Sequence, residues 1–252
     1  MTAILPGQEV PTRTAQKLRQ VHTITDRFGM LNTYLIDDGS LVVVDPRSSL
    51  NGRLILHYVE RFLKRSPSDI DLIVLTSQET NQSGGIETLR SYCTAPVAAL
   101  ARTRGRTSST NDRRPAGNGD GGTLPIPLAF RAGELFSLDA LLTFTNPHLR
   151  QVSIWLHDVG GLPRHEDWRV IATGGAARGH FCLYNPFSWE LIGGAAMSTT
   201  EGGMPILHAS GDPRGQQETL RVLRDLQIYY LYPGQGKPLL AHNAAAQIRL
   251  DW

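Results

Sequence analysis

A chain of 252 residues with 40% hydrophobic composition and a net charge of +2 reads as an ordinary soluble protein, long enough to bury a sizeable core. No apolar run approaches the roughly 18 residues that a membrane-spanning helix needs, and Met1–Arg13 lacks the apolar centre of a secretory signal, so the expected location is the cytoplasm. Its two cysteines, Cys93 and Cys182, form no metal-type pair and fit a reducing compartment as small core or surface residues; a nucleophilic role for Cys182 would have to come from His180, two residues before it.

Short β-branched runs bounded by turn residues predict strands at 21–28, 31–37, 41–45, 70–75 and 96–100, with helices at 51–65 and 85–92. Strands at 31–37 and 41–45 flank Asp38-Gly39, a hairpin signal. In the second half, strands are predicted at 128–131, 135–137, 141–145, 152–157, 169–173 and 228–232, with an amphipathic helix at 214–226 whose Leu220, Val222 and Leu223 stand beside Arg221, Arg224 and Asp225. Two sheets with helices outside is the architecture this order favours, and it spans nearly the whole chain, so one domain over 1–252 is expected.

Two segments depart from that pattern. Residues 101–124 have almost no apolar content and read as a basic loop, with Arg102, Arg104, Arg106, Arg113 and Arg114 outnumbering Asp112 and Asp120. Such a loop suits an acidic partner surface or phosphates, or is a solvated insertion; no aromatic residue is interleaved, so a stacking platform for single-stranded nucleic acid is not supported. Residues 176–212 cluster Phe181, Tyr184, Phe187 and Trp189 around Asn185-Pro186, side chains that line a pocket or an interface, or belong to the core.

The most informative stretch is Thr76-Ser77-Gln78-Glu79-Thr80-Asn81-Gln82-Ser83-Gly84-Gly85, which follows the buried strand Ile70–Leu75. It resembles the Thr-His-x-His-x-Asp-His-x-Gly-Gly motif of the metallo-β-lactamase superfamily, with Thr76, Gly84 and Gly85 matching. Ser77, Glu79, Asn81 and Gln82 stand where that family has His, His, Asp and His. Four further segments support the resemblance in order: the hairpin ending in Val44-Asp45; Pro147-His148 ahead of Val152–Leu156, with His148 at a retained ligand position; Val170–Gly174, with Gly175 in place of a bridging aspartate; and Tyr232-Pro233-Gly234-Gln235-Gly236, with Gln235 replacing a closing histidine. The resemblance covers about residues 20–240. It implies an α/β fold, the four-layer αββα sandwich of the metallo-β-lactamase type, with two mixed sheets flanked by helices. Over residues 176–212 it implies a helix and a substrate-covering segment.

A hydrolytic zinc site needs three or four imidazoles, thiolates or carboxylates and an open position for water. Of the family's ligand positions only Glu79 and His148 retain such groups, while Ser hydroxyls and Asn or Gln amides are poor zinc ligands. The expected cofactor is therefore none, with zinc or iron only in a remodelled site. Glu79 also matches the flavodiiron proteins, which resemble the same frame, but no flavodoxin module follows. Ser77, Gln78, Asn81, Gln82 and Gln235 would line a neutral, amide-rich cleft that satisfies itself and ordered water, or that takes a small polar ligand.

Three functions compete. The first is a non-catalytic protein acting in binding, regulation or assembly of a complex, with a protein partner or as a homo-oligomer, and with neither nucleic acid nor membrane as its target. The second is a hydrolase of esters, thioesters or lactones, with metal on Glu79, His148 and a third ligand such as His180 or His208. The third is metal-free catalysis with His148 as general base. The first is the reading favoured here, since fold alone does not give function.

Overall fold

The computed structural model describes residues 20–79, 82–101, 147–174, 179–208 and 213–251, apart from the side chains of Gln20, Pro147 and His148. The predicted strands at 128–131, 135–137 and 141–145, the basic stretch with Arg102, Arg104, Arg106, Arg113 and Arg114, and the positions Asn81 and Gly175 lie outside the described residues.

The first sheet has six strands in sequence order. β1 (Gln20–Thr25), β2 (Asn32–Asp37) and β3 (Leu41–Val44) form an antiparallel meander. β4 (Ile70–Leu75), β5 (Val97–Leu100) and β6 (Val152–Leu156) then add in parallel. Parallel addition requires crossovers on the sheet face. α1 (Ser49–Arg61) connects β3 to β4, and α2 (Ile86–Arg90) connects β4 to β5. Ser48 opens α1 by accepting a hydrogen bond from the Asn51 N–H at 3.2 Å, satisfying one donor that the first turn leaves unpaired. Ile55, Leu56 and Val59 form its buried stripe, while Leu50 and Leu54 face outward.

The second sheet is built from β7 (Gly161–Leu162), β8 (His165–Ala172), β9 (Phe181–Asn185), β10 (Glu190–Thr199), β12 (Tyr230–Gln235) and β13 (Leu239–Leu240), in the order β13-β12-β10-β9-β8-β7. β11 (Pro205–Leu207) pairs with β10, and β14 (Arg249–Leu250) pairs with β11. α3 (Pro213–Arg224) and the short α4 (Ala244–Gln247) cover this sheet.

Side-chain alternation sorts the core into three layers. Val42, Val44, Leu72 and Val74 point from the first sheet toward Trp168, Val170, Phe181, Leu183 and Ile192 of the second. Val43, Ile73 and Leu75 point the other way, onto Ile55, Val59, Ile86 and Leu89 of α1 and α2. Cys182, Tyr184, Leu191 and Leu231 pack against Leu223 and Ala244–Ala245. The result is the expected αββα sandwich, with two mixed sheets between helical layers.

The segment after Gly175 corrects the expectation of a helix and a covering flap. Phe181–Asn185 and Glu190–Thr199 are instead a hairpin at the centre of the second sheet. Its turn has a local cause: Asn185 Oδ1 accepts from the Phe187 and Ser188 N–H groups at 2.9 and 3.2 Å, and Trp189 takes a left-handed φ of 59°. Phe181 and Cys182 are fully buried and Tyr184 is 6% exposed, so these residues belong to the core, whereas Phe187 is exposed on the turn. The Tyr184 hydroxyl donates to the Gln227 carbonyl at 3.0 Å.

Candidate functional site

The segment that the sequence points to lies where β3 and β4 end. Asp45, just past β3, has φ 56° and is 1% exposed. Its carboxylate accepts from the Thr76 N–H at 2.8 Å and from the Thr76 hydroxyl at 2.6 Å. Burial pushes the Asp45 carboxyl upward in pKa, while the Arg47 guanidinium and the two bonds from Thr76 oppose that shift. Asp45 thus holds the loop after β4 in register with the end of β3.

Arg47 is the residue that sequence reasoning passed over. It is 9% exposed, and its Nε donates to the Asn32 carbonyl at 2.8 Å and its Nη2 to the Gly234 carbonyl at 2.9 Å. Asn32 Nδ2 donates in turn to the Pro233 and Gly236 carbonyls at 3.0 and 2.7 Å, and the Tyr34 hydroxyl also donates to Pro233. The Pro-Gly-Gln-Gly loop is thereby fixed by side chains of the first sheet. An arginine two residues past a strand-ending aspartate, in Asp45-Pro46-Arg47, was the available signal.

The two retained glycines have a steric reason. A Cβ on Gly85 would lie 2.6 Å from the Pro46 carbonyl oxygen and 2.8 Å from that of Ser48, and one on Gly84 would lie 2.7 Å from that of Arg47. These contacts are with backbone, so the α1 entry and the loop before α2 approach as closely as they do only with glycine present.

Between these anchors the side chains singled out in the sequence are polar, and Ser77, Gln78 and Gln82 are buried. Ser77 is fully buried, and its hydroxyl accepts from the Glu79 N–H at 3.1 Å. Gln78 is 4% exposed and donates through Nε2 to the Leu100 carbonyl at 3.2 Å. Gln82 is 2% exposed, and its Oε1 is buried without a hydrogen-bond partner among the described residues. Gln235 is exposed at the end of β12, with its backbone bridged to Leu31. His148 falls in the 3₁₀ segment Pro147–Gln151 that leads into β6.

Glu79 has met a histidine other than His148: its Oε1 lies 4.0 Å from His180 Nε2, with both side chains part-exposed. His208 is directed elsewhere, its Nδ1 being 3.7 Å from the Asp251 carboxylate. Among the described residues, no three of His, Cys, Asp and Glu gather within reach of one metal ion. Cys182 is unsuited to nucleophilic work, because complete burial pushes its thiol up to about 12.

No family model matches the chain. Among curated proteins it is similar to the probable metallo-hydrolase YqjP of Bacillus subtilis (strain 168), 31% identical over 98 residues, which is 36% of this chain and 31% of that protein. The match thus spans about a third of that relative's length. Among solved structures it is similar to a metallo-beta-lactamase family protein from Thermus thermophilus, with TM-score 0.55, 18% identity, and coverage of 90% of this chain and 76% of that one. TTHA1623, solved in a di-iron-bound form, gives TM-score 0.56, 18% identity and coverage of 90% and 98%. A metallo-beta-lactamase from Pontibacter korlensis gives 0.53, 12% identity and 89% of each chain. The resemblance to the metallo-β-lactamase superfamily carried by the sequence motifs holds, and the chain has the metallo-β-lactamase fold.

Proposed function

We propose that this chain is a non-catalytic metallo-β-lactamase-like protein of the cytoplasm, acting by binding in regulation or in the assembly of a complex, with another protein or a second copy of itself as partner. Its cleft takes a small polar ligand in place of a metal. The observation that carries this reading is Gln82, a buried side chain at the position of a family histidine, whose Oε1 finds no donor among the described residues. An unsatisfied buried amide oxygen costs about 1–3 kcal/mol, which an N–H or O–H group of a ligand would recover. The donor chemistry beside it does not suit a zinc or iron pair: Ser77 offers a hydroxyl already committed to the Glu79 N–H, and Gln82 a neutral amide. No helix among the described residues is long and apolar enough to cross a membrane.

A second reading, a hydrolase of ester, thioester or lactone substrates with a remodelled metal site around Glu79 and His148, draws support from the 4.0 Å approach of His180 to Glu79. The metallo-hydrolase description of the Bacillus relative bears on it too, over the shared third of that protein's length.

Elemental analysis separates the two. Protein purified without added metal, and again after incubation with zinc, iron and manganese, is expected to hold well under one equivalent. Retention of about one equivalent, lost in Glu79→Ala or His148→Ala, would overturn the non-catalytic reading and move the effort to substrate screening.

A further inference from the structure

At the opposite end of β3 from Asp45, the turn between β2 and β3 meets the start of β8 in a second polar cluster that the cleft does not involve. His165 Nδ1 lies 2.9 Å from the Asp38 carboxylate, and its Nε2 lies 3.4 Å from Ser40 Oγ. With the proton on Nδ1, the imidazole donates to Asp38 and presents the Nε2 lone pair to the serine hydroxyl. That is the order of contacts by which a carboxylate orients a histidine and the histidine takes a proton from a serine. We propose that Ser40, His165 and Asp38 form a metal-free nucleophilic centre, acylated by small activated carboxylic esters and separate from the Thr76–Gly85 segment, to which alone the non-catalytic reading then applies.

Several features of the chain hold this arrangement in place. The His165 side chain is 1% exposed and cannot swing away, and that of Asp38 is 11% exposed. Arg65 fixes the turn from below, donating to Asp37 Oδ1 at 2.9 Å and to the Gly39 carbonyl at 3.2 Å. Next to His165, Arg164 takes a left-handed φ of 65° and pairs with Asp71 of β4 at 3.1 Å. Above the turn there is room for a reactant. Gly39 has φ +116°, and a Cβ built on it meets nothing within 4 Å. Ser40, unlike His165, is part-exposed, so an acyl group would come from the solvent side. The 3.4 Å separation is longer than a tight hydrogen bond, as nucleophile–base contacts often are before substrate is bound.

In the step proposed, Ser40 Oγ adds to the ester carbonyl carbon as its proton passes to His165 Nε2. The C–O bond to the leaving alcohol then breaks, that alcohol takes the proton from Nε2, and the acyl group stays on Ser40 until water, deprotonated by the same nitrogen, adds to the acyl carbon; the bond to Ser40 Oγ then breaks, Nε2 returns the proton to that oxygen, and the acid is released. Ser40 and His165 are the catalytic residues of this centre, and Asp38 is a positioning residue acting through His165.

The test is covalent labelling of the full chain with a fluorophosphonate probe, followed by intact mass and peptide mapping, with p-nitrophenyl acetate hydrolysis measured alongside. The serine displaces fluoride from phosphorus, so one adduct per chain at Ser40 is expected. It should be absent in Ser40→Ala and unchanged by a metal chelator, which separates this centre from any metal site on Glu79. Asp38→Asn, assayed at a temperature where circular dichroism shows it folded, should slow labelling at least tenfold, because the amide no longer selects the Nδ1–H form. A cluster that merely ties the hairpin to the second sheet would leave Ser40 unmodified. That result, an adduct on another residue, or an Asp38→Asn protein that labels at the parent rate would each overturn the proposal.

Discussion

At Thr76 a single hydroxyl serves both sheets: it donates to Asp45 Oδ2 at 2.6 Å and accepts from the Ala195 N–H of β10 at 2.9 Å. The bond to Asp45 is buried and the one from Ala195 part-buried, and Thr76 itself is fully enclosed, so losing the oxygen leaves a carboxylate short of a donor and an N–H short of an acceptor. Thr76→Val, nearly the same shape, is expected to lower stability by about 3 kcal/mol, since hydrogen bonds to charged groups contribute about 1.5–3 kcal/mol and an orphaned buried group adds its own penalty. Thr76→Ser, which keeps the oxygen, should cost far less. Urea unfolding of the two variants checks this, and a small loss in Thr76→Val beside a larger one in Thr76→Ser would mean that the methyl group, not the hydroxyl, matters at this position. The matching threonine is thus retained for framing the loop, a role independent of whether metal ever binds there.

Among the elements, β1 and α1 meet at a titratable joint. His22 Nδ1 lies 3.0 Å from the Tyr58 hydroxyl, the two rings are 5.5 Å apart, and His22 Nε2 is buried without a hydrogen bond among the described residues. Desolvation holds the imidazole below its ordinary pKa of 6.5, with Asp37 opposing the shift. The native state therefore binds the His22 proton less readily than the unfolded chain does. The stability from neutral His22 is present above the unfolded value and lost as pH falls through the lowered native value. His22→Phe should flatten the loss of unfolding free energy between pH 7.5 and 5; an identical slope in parent and variant would show that other groups govern it. Elements also show where the sequence could be read. β2, β3 and β4 were legible because Leu41–Val44 and Ile70–Leu75 are β-branched runs with turn residues at their ends. The β9–β10 hairpin was missed because Glu190–Thr199 is rich in glycine and alanine, a weak strand signal. The turn signal Asn185-Pro186 sat among aromatics that the sequence left open between a pocket, an interface and the core. The pairing of Glu79 with His180, about a hundred positions apart, has no trace in sequence spacing because it depends on β9 lying next to the β4 loop, where the Phe181 N–H donates to the Thr76 carbonyl at 3.1 Å.

Over the whole molecule, the two sheets are stitched at both ends of the sandwich, and the middle is left to apolar packing. At one end the links are Thr76 to Ala195, Asn32 to Pro233 and Gly236, and Arg47 to Gly234. At the other they are His165 to Asp38 and Arg164 to Asp71. Arg47 bridges the sheets directly, because its fork reaches the Asn32 carbonyl on the first sheet and the Gly234 carbonyl on the second at once. Lysine carries the charge but not the fork, so it cannot hold both carbonyls in a fixed plane. Gly234 leaves no space to compensate by shifting, since a Cβ there would sit 2.2 Å from the Gly194 carbonyl oxygen. Arg47→Lys is therefore expected to keep a single cooperative unfolding transition, the three core layers being untouched. Amide exchange at 233–236 should rise by about tenfold, equivalent to about 1.4 kcal/mol of local opening, on the scale of one charge-assisted hydrogen bond. Hydrogen exchange by mass spectrometry resolves this segment. Faster exchange spread evenly over both sheets would place Arg47 in global stability, whereas a change confined to 233–236 would mark it as the clamp on the loop that closes the cleft.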